Sequence, residues 1–295
     1  MSRQDTDLHL APIAKELNDC TVFLRVNAPR AYFIDLADLH EAAKHQNSAA
    51  LRKMISTIAS TENMYVVIGG DSTENATLAK GSSSPYEEKH HGYDQVRSLK
   101  AKLEPIKDKI LLVRSGNHGA GRAKKLDNMV PEEVLADLLD VKYCAGFAAV
   151  IMNVNKNMYT IALQHNNKLP NQFQWLHSDV TFFEHRHDHG YKRSLIAGVN
   201  GFSKTWTVRE HLDIQAGSFL TWGGYAKEAG YRPLHTGCPI LELGGECNKW
   251  EMRVHEKMDH FVELAEARGD IKKEEMSDDI ADSILDALDK LQDLG

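Results

Sequence analysis

Short apolar runs, each closed by polar residues, constrain this chain more than any other feature. They lie at Tyr32 to Leu36, Tyr65 to Ile68, Ile110 to Val113, Phe147 to Met152, Met158 to Leu163 and Val180 to Phe183. Each is rich in β-branched or aromatic residues and reads as a buried strand. Helical patterns at Ser48 to Ile58 and Tyr93 to Leu103 separate the early runs, so the first half is expected to form β-α-β units in an α/β fold. The later strands lie closer together, as in a more mixed sheet. Trp206 to Trp222 and Pro239 to Leu243 add strand-like segments, while His255 to Gly295 is acidic and helical in pattern. The chain is therefore expected to divide into a catalytic domain, 1–254, and a C-terminal helical extension, 255–295, that ends outside the sheet. In that extension Ile280, Ile284, Leu288 and Leu291 draw one apolar stripe down a helix. Such a stripe either docks on its own domain or joins two subunits into a homo-oligomer.

Ligand sites in open α/β sheets lie beyond the carboxyl ends of the strands, so the polar residues just after the apolar runs belong together. Asp38-Leu39-His40 follows the first run, and Gly69-Gly70-Asp71 follows the second. Gly116-Asn117-His118 comes after the third, His165-Asn166 after Met158 to Leu163, and His185-Arg186-His187 after the last. Carboxylate oxygen and imidazole nitrogen suit Mn²⁺, Fe²⁺ and Zn²⁺, and no cysteine stands in any of these places, which argues against a zinc finger. One carboxylate can bridge two ions about 3.5–4 Å apart, and such a pair activates water and neutralises a phosphate in transfer. Asp71 is the candidate bridge. Taken singly, each fragment has a plain structural reading. Asp38 with His40, and Gly116 to His118, make acceptable turns. The glycines before Asp71 suit a tight strand-to-helix turn. His165 alone reads as a hydrogen-bonded buried histidine, and His185 with His187 as ordinary strand alternation. Their joint order is what the plain readings do not account for.

That order, D-x-H, GD, GNH, a lone H and then H-x-H, resembles the calcineurin-like metallophosphoesterase superfamily. The resemblance covers about Tyr32 to His187 by motif. It extends toward the branch common in bacteriophage genomes through Pro105 to Ile110, Gly217 to Leu220, Tyr225 and Arg232-Pro233. The fold it implies is an αββα sandwich of two mixed sheets flanked by helices. It also implies one ion held by Asp38, His40, Asp71 and His187, and a second held by Asp71, Asn117, His165 and His185. The cofactors would be two divalent ions, Mn²⁺ first, with Fe²⁺, Zn²⁺, Ni²⁺ or Mg²⁺ as alternatives. His118 would be the catalytic residue, placed at the leaving-group oxygen, where an imidazole can donate a proton or a hydrogen bond. Three positions depart from the pattern. Glu184 stands for the usual Gly before His185, Asn166 for the Gly after His165, and Gly119 for a Glu or Asp after GNH. Glu184 either hydrogen-bonds a ligand histidine or points to solvent. A second D-x-H, Asp7-Leu8-His9, has no preceding apolar run to make the strand the site needs and is set aside.

The resemblance implies metal-dependent hydrolysis of phosphate esters, with a phosphodiester or nucleic acid as first substrate class. A phosphomonoesterase acting on protein or nucleotide is the alternative, and a non-catalytic scaffold of the same fold comes third. Lys80, Lys89, Arg114, Arg122, Lys124, Lys125, Arg186, Lys192 and Arg193 flank the motifs and would suit a polyanion, although scattered cations also make an ordinary solvated surface. The net charge of -7 excludes coating of nucleic acid by bulk electrostatics but leaves room for a local basic groove. No apolar run approaches the roughly 20 residues of a bilayer span, and the first residues lack a signal-peptide core. The expectation is a soluble, cytoplasmic protein whose widely spaced Cys20, Cys144, Cys238 and Cys247 stay reduced and structural.

Overall fold

The computed structural model describes residues 19–76, 85–90, 92–124, 128–165, 178–187, 189–199, 206–223, 227, 235–246 and 251–272. Asp7 to His9, Lys80, Lys125, Asn166, Tyr225, Arg232, Pro233, Cys247 and the stripe from Ile280 to Leu291 lie outside them. The chain runs β1 (Thr21–Val26), β2 (Arg30–Leu36), α1 (Ser48–Ser60), β3 (Met64–Ile68), α2 (Tyr93–Leu103), β4 (Ile110–Arg114), α3 (Pro131–Leu139) and β5 (Lys142–Cys144). It continues through β6 (Ala148–Val154), β7 (Asn157–Gln164), β8 (Val180–Phe183), β9 (His189–Val199), β10 (Trp206–Ala216), β11 (Ile240–Gly244), β12 (Met252–His255) and α4 (Met258–Arg268).

These strands make two six-stranded sheets, ordered β12-β11-β2-β3-β4-β5 and β1-β6-β7-β8-β10-β9. Both are mixed. In the first, β2 to β5 are parallel, β11 runs antiparallel to β2, and β12 runs antiparallel to β11. In the second, β7, β8 and β10 are parallel and flanked by antiparallel β6 and β9. The result is the α/β sandwich of two mixed sheets flanked by helices that the sequence resemblance implies.

Strand β2 shows why its sequence is apolar at every residue but Arg30 and Asp35. Ala31 and Phe33 face the second sheet, where they meet Val150, Ile161 and Phe182. Tyr32, Ile34 and Leu36 face the helices, among Leu51, Ile55 and Leu99. A strand buried on both faces needs a continuous apolar run rather than alternation. Helix α1 begins where the Asn47 side chain accepts from the Ala50 N–H at 3.1 Å, and it buries Leu51, Met54, Ile55 and Ile58, spaced as one helical face. The described helices pack on the β2 side of the sandwich, and none among the described residues is long and apolar enough to cross a membrane.

Parallel pairing sends the carboxyl ends of β2, β3 and β4 to one edge of the first sheet. The carboxyl ends of β7 and β8, also parallel, emerge together from the second. Backbone hydrogen bonds then carry the β2–β3 pairing past both strand ends. Asp38 N donates to Gly70 O, His40 N to Asp71 O and Glu41 N to Ser72 O, at 2.9, 3.0 and 2.9 Å. The two ligand-bearing loops thus run side by side.

Candidate metal centre

The loops after β2, β3 and β8 bend sharply at residues that carry polar side chains. Asp38, His40, Asp71, His185 and His187 have φ of 49°, 48°, 53°, 74° and 56°. For residues carrying a Cβ, the left-handed conformation costs roughly 1–2 kcal/mol each, and it persists where surrounding contacts over-determine it, often at functional sites. His185 and His187 therefore do not share a strand face by alternation, as their spacing suggested. They lie beyond β8, and the turn aims them. The glycines serve a different need. Without a positive φ at Gly70 or Gly116, their role is space: a Cβ on Gly116 would collide with Asp71, and one on Gly70 would meet His165 and the Gly116 backbone. The two loops approach too closely for any side chain between them.

Two clusters result. In the first, Asp38 Oδ1 lies 3.4 Å from His187 Nε2 and 3.9 Å from His40 Nε2, and the two ring nitrogens face each other at 3.1 Å. In the second, Asp71 Oδ2 lies 3.0 Å from His165 Nε2 and 3.9 Å from His185 Nδ1, while Asn117 Oδ1 is 2.8 Å from His165 Nε2. Asp71 Oδ1 accepts from the His118 backbone N–H at 2.7 Å, which ties the two turns together. The His118 ring meets Glu74 O through Nδ1 at 2.6 Å, leaving Nε2 3.8 Å from Asp71 Oδ2. All eight residues singled out in the sequence are thus brought to one place. His185 and His187 keep 47% and 29% of their side chains exposed, and they mark the solvent side of the two clusters.

The donor set fits divalent cations. Asp38 Oδ1 is buried without a hydrogen-bond partner, and it points at two imidazole nitrogens that themselves face one another. A buried carboxylate oxygen without a partner is costly, and a cation between these three atoms would satisfy all of them. Oxygen and nitrogen donors without sulfur suit Mn²⁺, Fe²⁺, Zn²⁺ or Mg²⁺ rather than Cu⁺. Asp38, His40 and His187 could hold one ion, and Asp71, His165 and His185, with Asn117, another. His40 could also face Glu74 and His118 through its other nitrogen.

Charge in the metal-free site is arranged for this. Burial opposes ionisation of Asp71, but hydrogen bonds from His165 and His185 hold its carboxyl well below the usual carboxylate range. Burial likewise disfavours the charged form of His165, yet Asp71 and Glu184 raise its pKa to about 11. For His40, Glu74 outweighs burial and raises the pKa. A metal taking the Nε2 lone pairs must displace these protons, so affinity is expected to rise with pH. His118 differs: burial, then the neighbouring His40, push it down to about 4.

Several residues of the site were not found by sequence reasoning. Glu74 receives His40 Nδ1 at 2.7 Å, and its signal was a carboxylate three residues after Asp71 in a stretch without apolar pattern. Glu184, weighed between ligand support and solvent, is fully buried and meets His165 Nδ1 at 2.9 Å. Arg114 was counted among cations available to a substrate. It is instead 0% exposed, paired to Glu184 and to Gly146 O. An arginine closing the apolar run Ile110 to Val113 was the available warning. Gly119 is explained by Glu132 of α3, whose carboxyl occupies the space a Cβ would take and accepts from Ser72 Oγ at 3.1 Å.

No known family model matches the chain, and no curated protein matches it. Among solved structures it is similar to a conserved uncharacterized protein from Streptococcus pneumoniae TIGR4, described as a predicted phosphoesterase. That likeness has 14% identity and a TM-score of 0.32, over 77% of this chain and 90% of the other. A hypothetical protein from Pyrococcus horikoshii OT3 is similar at 11% identity and a TM-score of 0.36, over 83% and 96%. Likenesses this distant leave the reading of the site to its own geometry.

Proposed function

We propose that this protein is a metal-dependent phosphoesterase of the calcineurin-like kind, which holds two divalent ions at the joined carboxyl ends of β2, β3, β4, β7 and β8. Asp38, His40 and His187 would hold one ion, Asn117, His165 and His185 the other, and Asp71 both. The observation that carries this reading is the pair of adjoining Asp/His clusters, one containing a buried carboxylate oxygen that has no hydrogen-bond partner. Ions bound there would neutralise a phosphate and activate a water for attack on it. The chain's own part is to orient these ligands through the strained loops and to present His118 to the leaving group. His118 Nδ1 lies 2.6 Å from Glu74 O and 3.2 Å from Arg122 Nη1, and in this reading Nε2 is the nitrogen that would meet substrate. Its low proton affinity would be raised by an anionic phosphate beside it, because an adjacent negative charge favours imidazolium. A phosphodiester is the substrate class we put first, with Mn²⁺ as the metal; Arg186, exposed between His185 and His187, would meet a further phosphate in this reading.

Substitution of adjacent residues tests the division of labour. Asn117→Ala should weaken one ion, so excess Mn²⁺ should restore part of the activity. His118→Asn should keep both ions and lose about 10²–10⁴-fold in turnover, the range for loss of a general acid. The loss should be smaller on a nitrophenyl diester, whose leaving group needs little protonation. Equal losses on activated and unactivated esters, or loss of metal from His118→Asn, would overturn the leaving-group role. Faster turnover of nitrophenyl phosphate than of its diester would assign the site to monoesters.

A further inference from the structure

Behind His165 lies a buried polar unit that no substrate can reach. Glu184 Oε2 accepts from the Gly70 backbone N–H at 2.8 Å and meets His165 Nδ1 at 2.9 Å. Its other oxygen is paired with the Arg114 guanidinium, and both side chains are 0% exposed. Arg114 is anchored in turn on Gly146 O. One carboxylate thus joins the backbone N–H of Gly70, the residue before Asp71, the ring of His165, and a guanidinium fixed at the end of β4. The next residue, His185, gives its backbone N–H to Asp38 Oδ2 at 2.9 Å.

A buried ion pair needs a reason, since desolvation of two charges commonly cancels their attraction and an apolar pair of similar volume often serves stability as well. Here the geometry gives one. A carboxylate that accepts a hydrogen bond from a histidine Nδ1–H leaves Nε2 as the atom available to a metal and makes it a better donor. Nε2 of His165 is the nitrogen that faces Asp71 and Asn117. Rotation of the ring would break the Nδ1 contact, and the Gly70 bond holds Asp71 in register with it.

We infer that Arg114 and Glu184 form a positioning unit for the ion at Asp71, Asn117, His165 and His185, with Glu184 setting the His165 ring and Arg114 holding Glu184. Neither touches substrate. This inference rests on the proposed metal-binding reading of the site, but it concerns one ion and one ring, so the two fail separately. Glu184→Gln keeps the shape and loses the charge. Its metal-free form should shift the low-field Nδ1–H proton resonance of His165 upfield, and calorimetric titration with Mn²⁺ should show one binding step unchanged and the other weakened about 10–100-fold. The Gln variant also removes one of the two buried acidic neighbours of Arg114, Glu184 and Asp35, so the double variant Arg114→Gln/Glu184→Gln separates positioning from strain. It should fold and still bind the second ion weakly.

Full recovery of that ion in the double variant would mean that the guanidinium left without Glu184, not the lost carboxylate itself, caused the defect, and would overturn the inference. So would equal weakening of both ions, or two unchanged steps, in Glu184→Gln. If the wild-type protein binds no Mn²⁺ at all, the functional reading fails. The His165 resonance then still decides whether Glu184 sets the ring.

Discussion

Replacing Gly70 with alanine adds one methyl group at a close approach between the loops that follow β3 and β4. The new Cβ would stand 2.5 Å from His165 Nδ1 and 2.7 Å from Gly116 Cα, where ordinary contact begins at 3.4 Å. Against the Gly116 backbone, 2.7 Å must become 3.4 Å, so about 0.7 Å has to be found by moving the β3 or the β4 loop. His165 must yield more, and in doing so stretches its 2.9 Å contact to Glu184. Overpacking of this kind costs roughly 1–3 kcal/mol of stability. A displacement approaching 1 Å at positioning residues costs on the order of 10²-fold in turnover. Because Gly70 does not use a positive φ, the alanine is conformationally allowed and the whole effect is steric. Urea unfolding should therefore show a modest loss, whereas metal titration and hydrolysis should show a large one, concentrated on the ion at His165. An alanine variant that binds both ions and turns over as wild type would refute the claim that the loops leave no room between them.

Two further perturbations test the surroundings of the site. Glu132 is fully buried, and burial with the nearby Asp71 charge raises its pKa from 4.5 to about 7. The native state thus holds this proton more tightly than the unfolded chain, and its stabilising effect is complete below about pH 4.5 and lost as pH rises through about 7. Glu132→Gln should gain stability over the metal-free wild type as pH rises across that window, by roughly 3 kcal/mol at most; a difference independent of pH would refute it. Lys102 reaches both oxygens of buried Glu41, at 2.7 and 2.8 Å, behind the loop that carries His40. Lys102→Met should cost roughly 3–5 kcal/mol in urea unfolding by leaving that carboxylate uncompensated, and a loss below 1 kcal/mol would show the pair to be dispensable.

Much of this protein was legible in the sequence because its central strands are buried on both sides, which writes them as continuous apolar runs. The runs at Val180 to Phe183 and Ile110 to Val113 mark β8 and β4 closely, and helix α2 spans the same residues, Tyr93–Leu103, as its pattern. The candidate ligands could be proposed for a related reason: each follows a strand end, so chain order alone aligned them. Edge strands were not. β1, β5, β9 and β12 each pair on one side only, and polar or mixed sequences such as His189-Gly190-Tyr191-Lys192-Arg193 satisfy that position without an apolar signature. The supporting partners of the ligands were equally hidden. Glu184 meets Gly70 across 114 residues of sequence and Arg114 across 70, and no local pattern records a contact made by the stacking of two sheets. Strand pattern and ligand order are local properties that short-range chemistry imposes. By contrast, tertiary packing alone decided that Arg114 is an internal counter-ion rather than a substrate contact, and that the ligand turns are left-handed, because both depend on how closely the ends of β3, β4 and β8 approach one another.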